Sequence, residues 1–363
     1  MTTHLHNRFL GCIAGVHIGS AMAAPVEGWS YQRIEETYGT LDTFLPYHHY
    51  QHTTDWVREP GTTEDGVERQ KLMITAIMRK QDRITAEDLR ATWVSDMNPQ
   101  GAGVVSEPFE GELYRMAQTP MPARDIGRYC DYAGLVSFAR SCHPIGLINA
   151  GDVDHALEDI LEVGQVYQTA NSRGLQWAAV TGVAIAAATK PEATVDSVLG
   201  AIFDVCGTFS ERFVQDAGVV RELERGLDLT RDCADFREMR VRFDEMYSGR
   251  GIPYAFSYAN EVVTKAVCIF RMVRGDLKEA IISGVNMGRD TDCITAVAAG
   301  ISGALTGTAG LPEAWVEQVD RATRLNPHTN SRRTIREHAD GLYDAFKARL
   351  ARMRAYVEAY TDE

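Results

Sequence analysis

The chain has 363 residues, a formal net charge of −13, and 45% hydrophobic against 24% charged positions. That length and balance describe a globular protein with a sizeable core, and exclude a disordered or low-complexity chain. The acid excess argues against a nucleic-acid or anionic-membrane partner, because either would want a basic face.

The N-terminus, MTTHLHNRFLGCIAG, has neither a basic n-region nor a long apolar h-region, so no secretory signal is expected. From there on helical periodicity dominates and strand signals are scarce. Phe9 to Ala24 is an apolar run rich in Gly, Ala and Ser. Residues 38–62 form a loop carrying Pro46, Pro60 and three histidines, His48, His49 and His52. Thr63 to Arg79 is helical, as is Thr85 to Val94 after the Thr85-x-x-Asp88 cap signal. A Gly/Pro-rich loop spans residues 98–112. Helices are then predicted over Asp152–Gln168, Leu175–Thr189, Thr194–Cys206, Tyr258–Val273, Leu277–Val285 and Thr291–Ala304. Tyr343 to Tyr360 closes the chain as an amphipathic helix.

Three segments, 11–24, 177–188 and 295–308, are built almost wholly of small and β-branched residues. Small side chains let helix backbones approach closely, so these are candidate central helices of a tight orthogonal bundle. No repeat of 30 to 45 residues and no Pro/Ser linker is evident, which favours one all-α domain over residues 1–363. The seven cysteines (12, 130, 142, 206, 233, 268 and 293) contain no Cys-x-x-Cys spacing and read as reduced core thiols of a cytoplasmic protein. The most apolar segment, Trp177–Thr189, is too short to span a bilayer.

Two short carboxylate clusters stand out: Thr63-Glu64-Asp65-Gly66 and Gly288-Arg289-Asp290-Thr291-Asp292-Cys293, each just before a helix. Hard divalent cations such as Mg²⁺ want oxygen ligands of this kind. Helix capping competes as an explanation, because Thr, Asp and Glu all suit a first turn. It accounts well for an isolated Thr-Glu-Asp and poorly for an Asp-x-Asp framed by Gly and Arg. No P-loop, dinucleotide fingerprint or Gly-x-Ser-x-Gly elbow is present.

These residues carry a resemblance. The stretch Gly11-x-x-x-Gly15-x-x-x-Gly19 ending at Glu27, the Thr63-Glu64-Asp65-Gly66 cluster, and Gly288-x-Asp290-Thr291-Asp292-Cys293-x-x-Ala-x-x-x-Gly300 resemble, in order and spread, three motifs of the ADP-ribosylglycohydrolases. Pro144-x-Gly146-Leu147 with Ala150-Gly151-Asp152 resembles that family's central stretch. The similarity covers roughly residues 8–315. It implies an all-α bundle of that type and a magnesium-dependent hydrolase of a glycosidic bond to ribose. The substrate would be an ADP-ribosylated protein or a ribosylated small molecule. Mg²⁺ ligands would be Thr63, Glu64, Asp65, Asp290 and Asp292, with Glu27, Asp65 and Asp292 in catalytic roles.

The match has departures. Glu64 stands for an Asp, Gly66 for a Thr, Cys293 at a position often held by a hydroxyl, and Ser20 for an Asp. They point to an altered second metal site, with one ion or two, and with Mn²⁺ as an option. The alternative class is a non-catalytic, crystallin-like binding or structural relative. Retention of Asp65, Asp290 and Asp292 argues against it.

Other candidates are secondary. Arg289 contacts an anionic substrate group or pairs with a neighbouring Asp. His48, His49 and His52 are loop histidines, solvated or facing substrate, and His143 is a core histidine or lines the pocket. Trp29, Tyr31, Tyr254, Phe256 and Tyr258 are candidates to stack on a ring. Tyr167 to Ser172 stands where relatives often carry a histidine and an acidic residue.

Overall fold

The computed structural model describes residues 4–49, 55–101, 108–247 and 257–361. Among them the structure is helical, with no strand and only two isolated bridges, Tyr47 with Arg58 and Leu135 with Tyr258. Nine helices carry the argument: α1 (His4–Ala23), α2 (Asp65–Lys80), α3 (His143–Ile148), α4 (Val153–Val163), α5 (Arg173–Ala188), α6 (Ala259–Met272), α7 (Leu277–Val285), α8 (Thr291–Thr306) and α9 (Ile335–Thr361).

The centre of the bundle is the pair α1 and α8, the two small-residue helices lying along one another. Their composition is the cause. A Cβ on Gly15 would sit 2.5 Å from the Ala299 carbonyl oxygen, and one on Gly11 2.5 Å from the Gly307 carbonyl carbon. Only glycine permits that approach. The third small-residue helix, α5, packs on α4, α6 and α8, while α7 covers α8 and α9 closes over α1 and α2. One cluster of buried apolar side chains runs from Phe9 to Phe346.

Trp177–Thr189 lies in the 16-residue helix α5 and its C-cap, too short to span a bilayer as expected, but another segment has the length and hydropathy to do so. His4–Val26 is long and apolar enough to cross one by length and composition. Of that window, 94% is buried inside the bundle, so a core position accounts for its hydropathy.

Local signals explain several boundaries. The helix Ala86–Asp96 opens on a reciprocal capping box: Asp88 N–H donates to Thr85 Oγ1 at 3.3 Å, and Thr85 N–H to Asp88 Oδ2 at 2.7 Å. Asp152 caps α4, accepting from His155 N–H at 3.1 Å, which makes the Ala150-Gly151-Asp152 stretch a structural turn. The helix predicted to Gln168 ends at Val163 and passes into a 3-10 turn, Gly164–Val166.

Candidate metal and active centre

The two carboxylate clusters, 225 positions apart in sequence from Asp65 to Asp290, meet at the N-terminal ends of α2 and α8. Glu64 is the residue before α2 and Asp290 the residue before α8, yet neither side chain caps its helix. Capping therefore does not explain them. Ligand atoms of Asp290, Asp292 and Cys293 lie within 4.8 Å of one another. The guanidinium of Arg140, from the turn before α3, joins the clusters: Nη2 pairs with Asp65 Oδ2 and Nη1 donates to Cys293 Sγ at 3.3 Å.

Glu27 joins them through backbone. Gly28 N–H donates to the Arg289 carbonyl at 2.8 Å, and Arg289 N–H to the Trp29 carbonyl at 2.7 Å. These two bonds fasten the turn after α1 to the turn before α8. Gly288 adopts φ +77°, and a Cβ there would lie 2.6 Å from Tyr31 N, so the close approach needs glycine. Arg289 takes φ +66°, uncommon for a residue with a side chain. Its guanidinium is held by Glu261, with Nε–Oε1 at 2.6 Å and Nη2–Oε2 at 2.9 Å. Glu261 also receives Lys265 at 2.7 Å. Arg289 is thus an anchor for the turn, paired with a residue on α6 rather than with a neighbouring Asp.

The electrostatics of the two sides are opposite. On the early side, burial by itself raises Glu64, but Arg58, His49 and the Tyr47 hydroxyl outweigh it and hold the carboxyl below its ordinary range. Arg58 pairs with Glu64 Oε1, Tyr47 donates to the same atom at 2.6 Å, and His49 Nε2 lies 3.7 Å from Oε2. Asp65 is likewise pulled down against its burial by Arg140 and Arg69, with Gly66 N–H on Oδ1 at 2.8 Å. On the late side compensation is weaker: the charge of Arg140 lowers both aspartates, and Cys293 and Ser257 lower Asp290, without offsetting burial. Burial and then the charge of Asp290 push Asp292 well up, and Asp290 is raised chiefly by its burial. Glu27 is raised well above its usual range by burial, then by Asp292 and Asp290. Both oxygens of Asp290 and Oδ1 of Asp292 are buried with no hydrogen-bond partner among the described residues. Asp290 is 0% exposed.

Two hollows flank the centre. Glu27, Trp29, Arg33, Tyr38, Tyr47 and His48 line an open cleft, where Arg33 lies 3.5 Å over the Trp29 ring. On the other side, Thr63, Asp65, Arg69, Trp56, Trp93, Tyr167 and His328 line a narrow hollow.

Of the sequence candidates, Glu27, Thr63, Glu64, Asp65, Asp290 and Asp292 come together. Thr63 turns its hydroxyl towards Glu68, at 3.4 Å. His49 is buried beside Glu64 instead of solvated, and His48 faces the cleft. His143 is fully buried, with Nδ1 3.3 Å from Gln70 Nε2, as a core histidine would be. Tyr31 lies under Arg240, 4.8 Å from ring centroid to guanidinium. Tyr258 forms the bridge to Leu135. His52, Tyr254 and Phe256 lie outside the described residues. Sequence reasoning missed Arg58, Arg69, Arg140, Tyr47, Trp56 and His328. For Arg140 alone there is a sequence trace: the glycine at 66, whose missing side chain leaves its room.

Comparison with known proteins bears on the fold and the family. An uncharacterised protein of Archaeoglobus fulgidus is 24% identical over 319 residues, covering 86% of this chain and 92% of its own. The uncharacterised protein YegU of Escherichia coli K12 is 22% identical over 329 residues, covering 88% and 93%. A solved structure described as an ADP-ribosylglycohydrolase-related protein complex superposes with a TM-score of 0.62 at 15% identity, covering 94% of this chain and 99% of that one, which shows the fold. The family model for ADP-ribosylglycohydrolase matches residues 1–351, and the chain belongs to the ADP-ribosylglycohydrolase family.

Proposed function

We propose that the protein is a magnesium-dependent hydrolase of a glycosidic bond to ribose, acting in the cytoplasm on an ADP-ribosylated protein or a ribosylated small molecule. Family membership supports the hydrolase class. The observation that carries the metal dependence is the set of buried carboxylate oxygens on Asp290 and Asp292 without hydrogen-bond partners among the described residues. Buried charge without a partner is costly, and a hard divalent cation is the partner that oxygen donors of this kind fit. Asp290 and Asp292 would hold it, with Glu27 beside them. Asp65, Glu64 and Thr63 complete the acidic wall. When bound, such an ion polarises ribose hydroxyls and eases deprotonation of a water.

The protein's own residues do the rest. Hydrolysis at the anomeric carbon passes through an oxocarbenium-like state, which a wall of carboxylates stabilises. Glu27 lines the cleft and neighbours those carboxylates; burial and then the charges of Asp292 and Asp290 raise its pKa, so in its ionised form it is a stronger base than an ordinary carboxylate. It takes the proton from the attacking water. Trp29, with Arg33 over it, offers a flat face and a cation on which a substrate ring and an anionic group can rest. Seven free cysteines are consistent with a reducing compartment.

The test is release of ribose or ADP-ribose from ADP-ribosyl-arginine, ADP-ribosyl-serine and free N-ribosides, in Mg²⁺ and in EDTA. Magnesium-dependent release from one substrate is expected, abolished in Asp292→Ala and reduced by roughly 10²- to 10⁴-fold in Glu27→Gln. No release from any substrate in Mg²⁺ or Mn²⁺ would leave the non-catalytic relative as the better description.

A further inference from the structure

We infer that the Arg140 guanidinium is a resident cation that stands where a second metal ion would otherwise bind, so that the centre takes one divalent ion. This rests on the proposal that Asp290 and Asp292 hold a metal.

Three observations converge. First, the early carboxylates are already occupied. Asp65 Oδ2 carries both Arg140 and Arg69, the latter at 3.2 Å, and Oδ1 carries the Gly66 N–H. Glu64 Oε1 carries Arg58 and the Tyr47 hydroxyl. An ion sought by these oxygens would have to strip guanidinia from them. Second, Arg140 has a place made for it. It is 7% exposed, and a Cβ on residue 66 would lie 2.9 Å from Arg140 Cδ, 3.1 Å from Cγ and 3.2 Å from Nε. Gly66 is therefore the space in which the arginine lies. Third, the other end of the guanidinium meets Cys293 Sγ at 3.3 Å, a soft atom that serves Mg²⁺ poorly but tolerates an N–H donor. Two of the chain's departures from the family pattern, Gly66 and Cys293, are thereby contacts of one side chain. The late side offers the contrast, because Asp290 Oδ1, Asp290 Oδ2 and Asp292 Oδ1 have no such donor among the described residues. A fixed positive charge on Asp65 also repels a second dication.

The experiment counts Mn²⁺ on the full-length protein, by equilibrium dialysis with metal analysis and by EPR. The wild type is expected to hold one ion per chain and to show the spectrum of an isolated ion, without the coupling of a pair. Arg140→Met should gain a second ion per chain, and Arg140→Lys, which keeps the charge, should stay at one. Should Arg140→Met fail to fold, Gly66→Thr serves in its place, since it evicts the arginine while keeping it in the chain. Two coupled ions in the wild type would overturn the inference and leave the metal-dependent hydrolase standing. One ion in the variants that remove or evict Arg140 would overturn the role given to that residue. No ion in the wild type would overturn both.

Discussion

At the scale of single residues, the centre sets two kinds of carboxylate against each other. Glu64 and Asp65 are ionised because guanidinia face them, whereas Glu27, Asp290 and Asp292 resist ionisation because burial and mutual repulsion oppose it. The sign for stability follows. A carboxyl whose folded pKa is raised contributes stability below its ordinary range and loses it as pH rises through the raised value. In EDTA the late carboxyls should therefore weaken the protein progressively above the ordinary carboxylate range. Mg²⁺ should restore it, with a thermal shift that grows with pH. Asp292→Asn removes one of these charges. In EDTA at pH 8 we expect it to be more stable than wild type by on the order of 1 kcal/mol, and in Mg²⁺ to show no such shift. A variant less stable in EDTA and still stabilised by Mg²⁺ would show that Asp292 is an ordinary structural carboxylate. Residue types and spacing made these acids legible in the sequence. The guanidinia facing the early pair were not, because Arg58, Arg69 and Arg140 belong to no motif and reach their partners only through the fold.

At the scale of elements, the small-residue helices were legible and several of the polar ones were not. α1, α5 and α8 declare themselves by composition, and α1 with α8 forms the closest pair in the bundle. The helices Tyr31–Tyr38, Val219–Leu229, Phe236–Tyr247 and Glu313–Leu325 were not anticipated. Each buries only a narrow stripe, such as Val219, Leu223 and Gly226, beneath a charged face. A signal that thin is easily taken for loop. The packing of α1 on α8 also fixes the centre, because Glu27 follows the end of α1 and Asp290 precedes α8. Gly15→Val would drive a branched side chain into the Ala299 carbonyl. We expect a loss of about 3 kcal/mol in urea unfolding, with weaker Mn²⁺ binding in the fraction that stays folded. Undiminished stability would mean the helices can part without cost.

At the scale of the whole molecule, a buried histidine network ties α1, α2 and α3 together. His17 Nε2 lies 3.2 Å from Gln70 Oε1, Gln70 Nε2 lies 3.3 Å from His143 Nδ1, and the His338 ring of α9 stands 5.5 Å from that of His17. Burial lowers His17 and His143 from about 6.5 to about 3. Both are neutral in the folded protein, while the unfolded chain binds protons from about pH 6.5 downwards. Each histidine therefore removes stability as pH falls from 6.5 towards 3, at up to about 1.4 kcal/mol per unit. The carboxyls with raised pKa values act in the opposite direction, so the difference between proteins isolates the histidine contribution. His17→Gln should lose less stability than wild type between pH 7 and pH 5, read from urea midpoints at the two values. Parallel losses would contradict a buried neutral His17. Nothing in the sequence singled out this network, because an isolated histidine in an apolar helix gives no sign of the partner it will find.

The account stands most directly on where a cation goes, and anomalous diffraction from crystals soaked in Mn²⁺ locates it. One peak against Asp290 and Asp292, with Arg140 still on Asp65, is the expected result. An ion seated instead on Glu64 and Asp65 with Arg140 displaced, or no peak at the late carboxylates at saturating Mn²⁺, would contradict it.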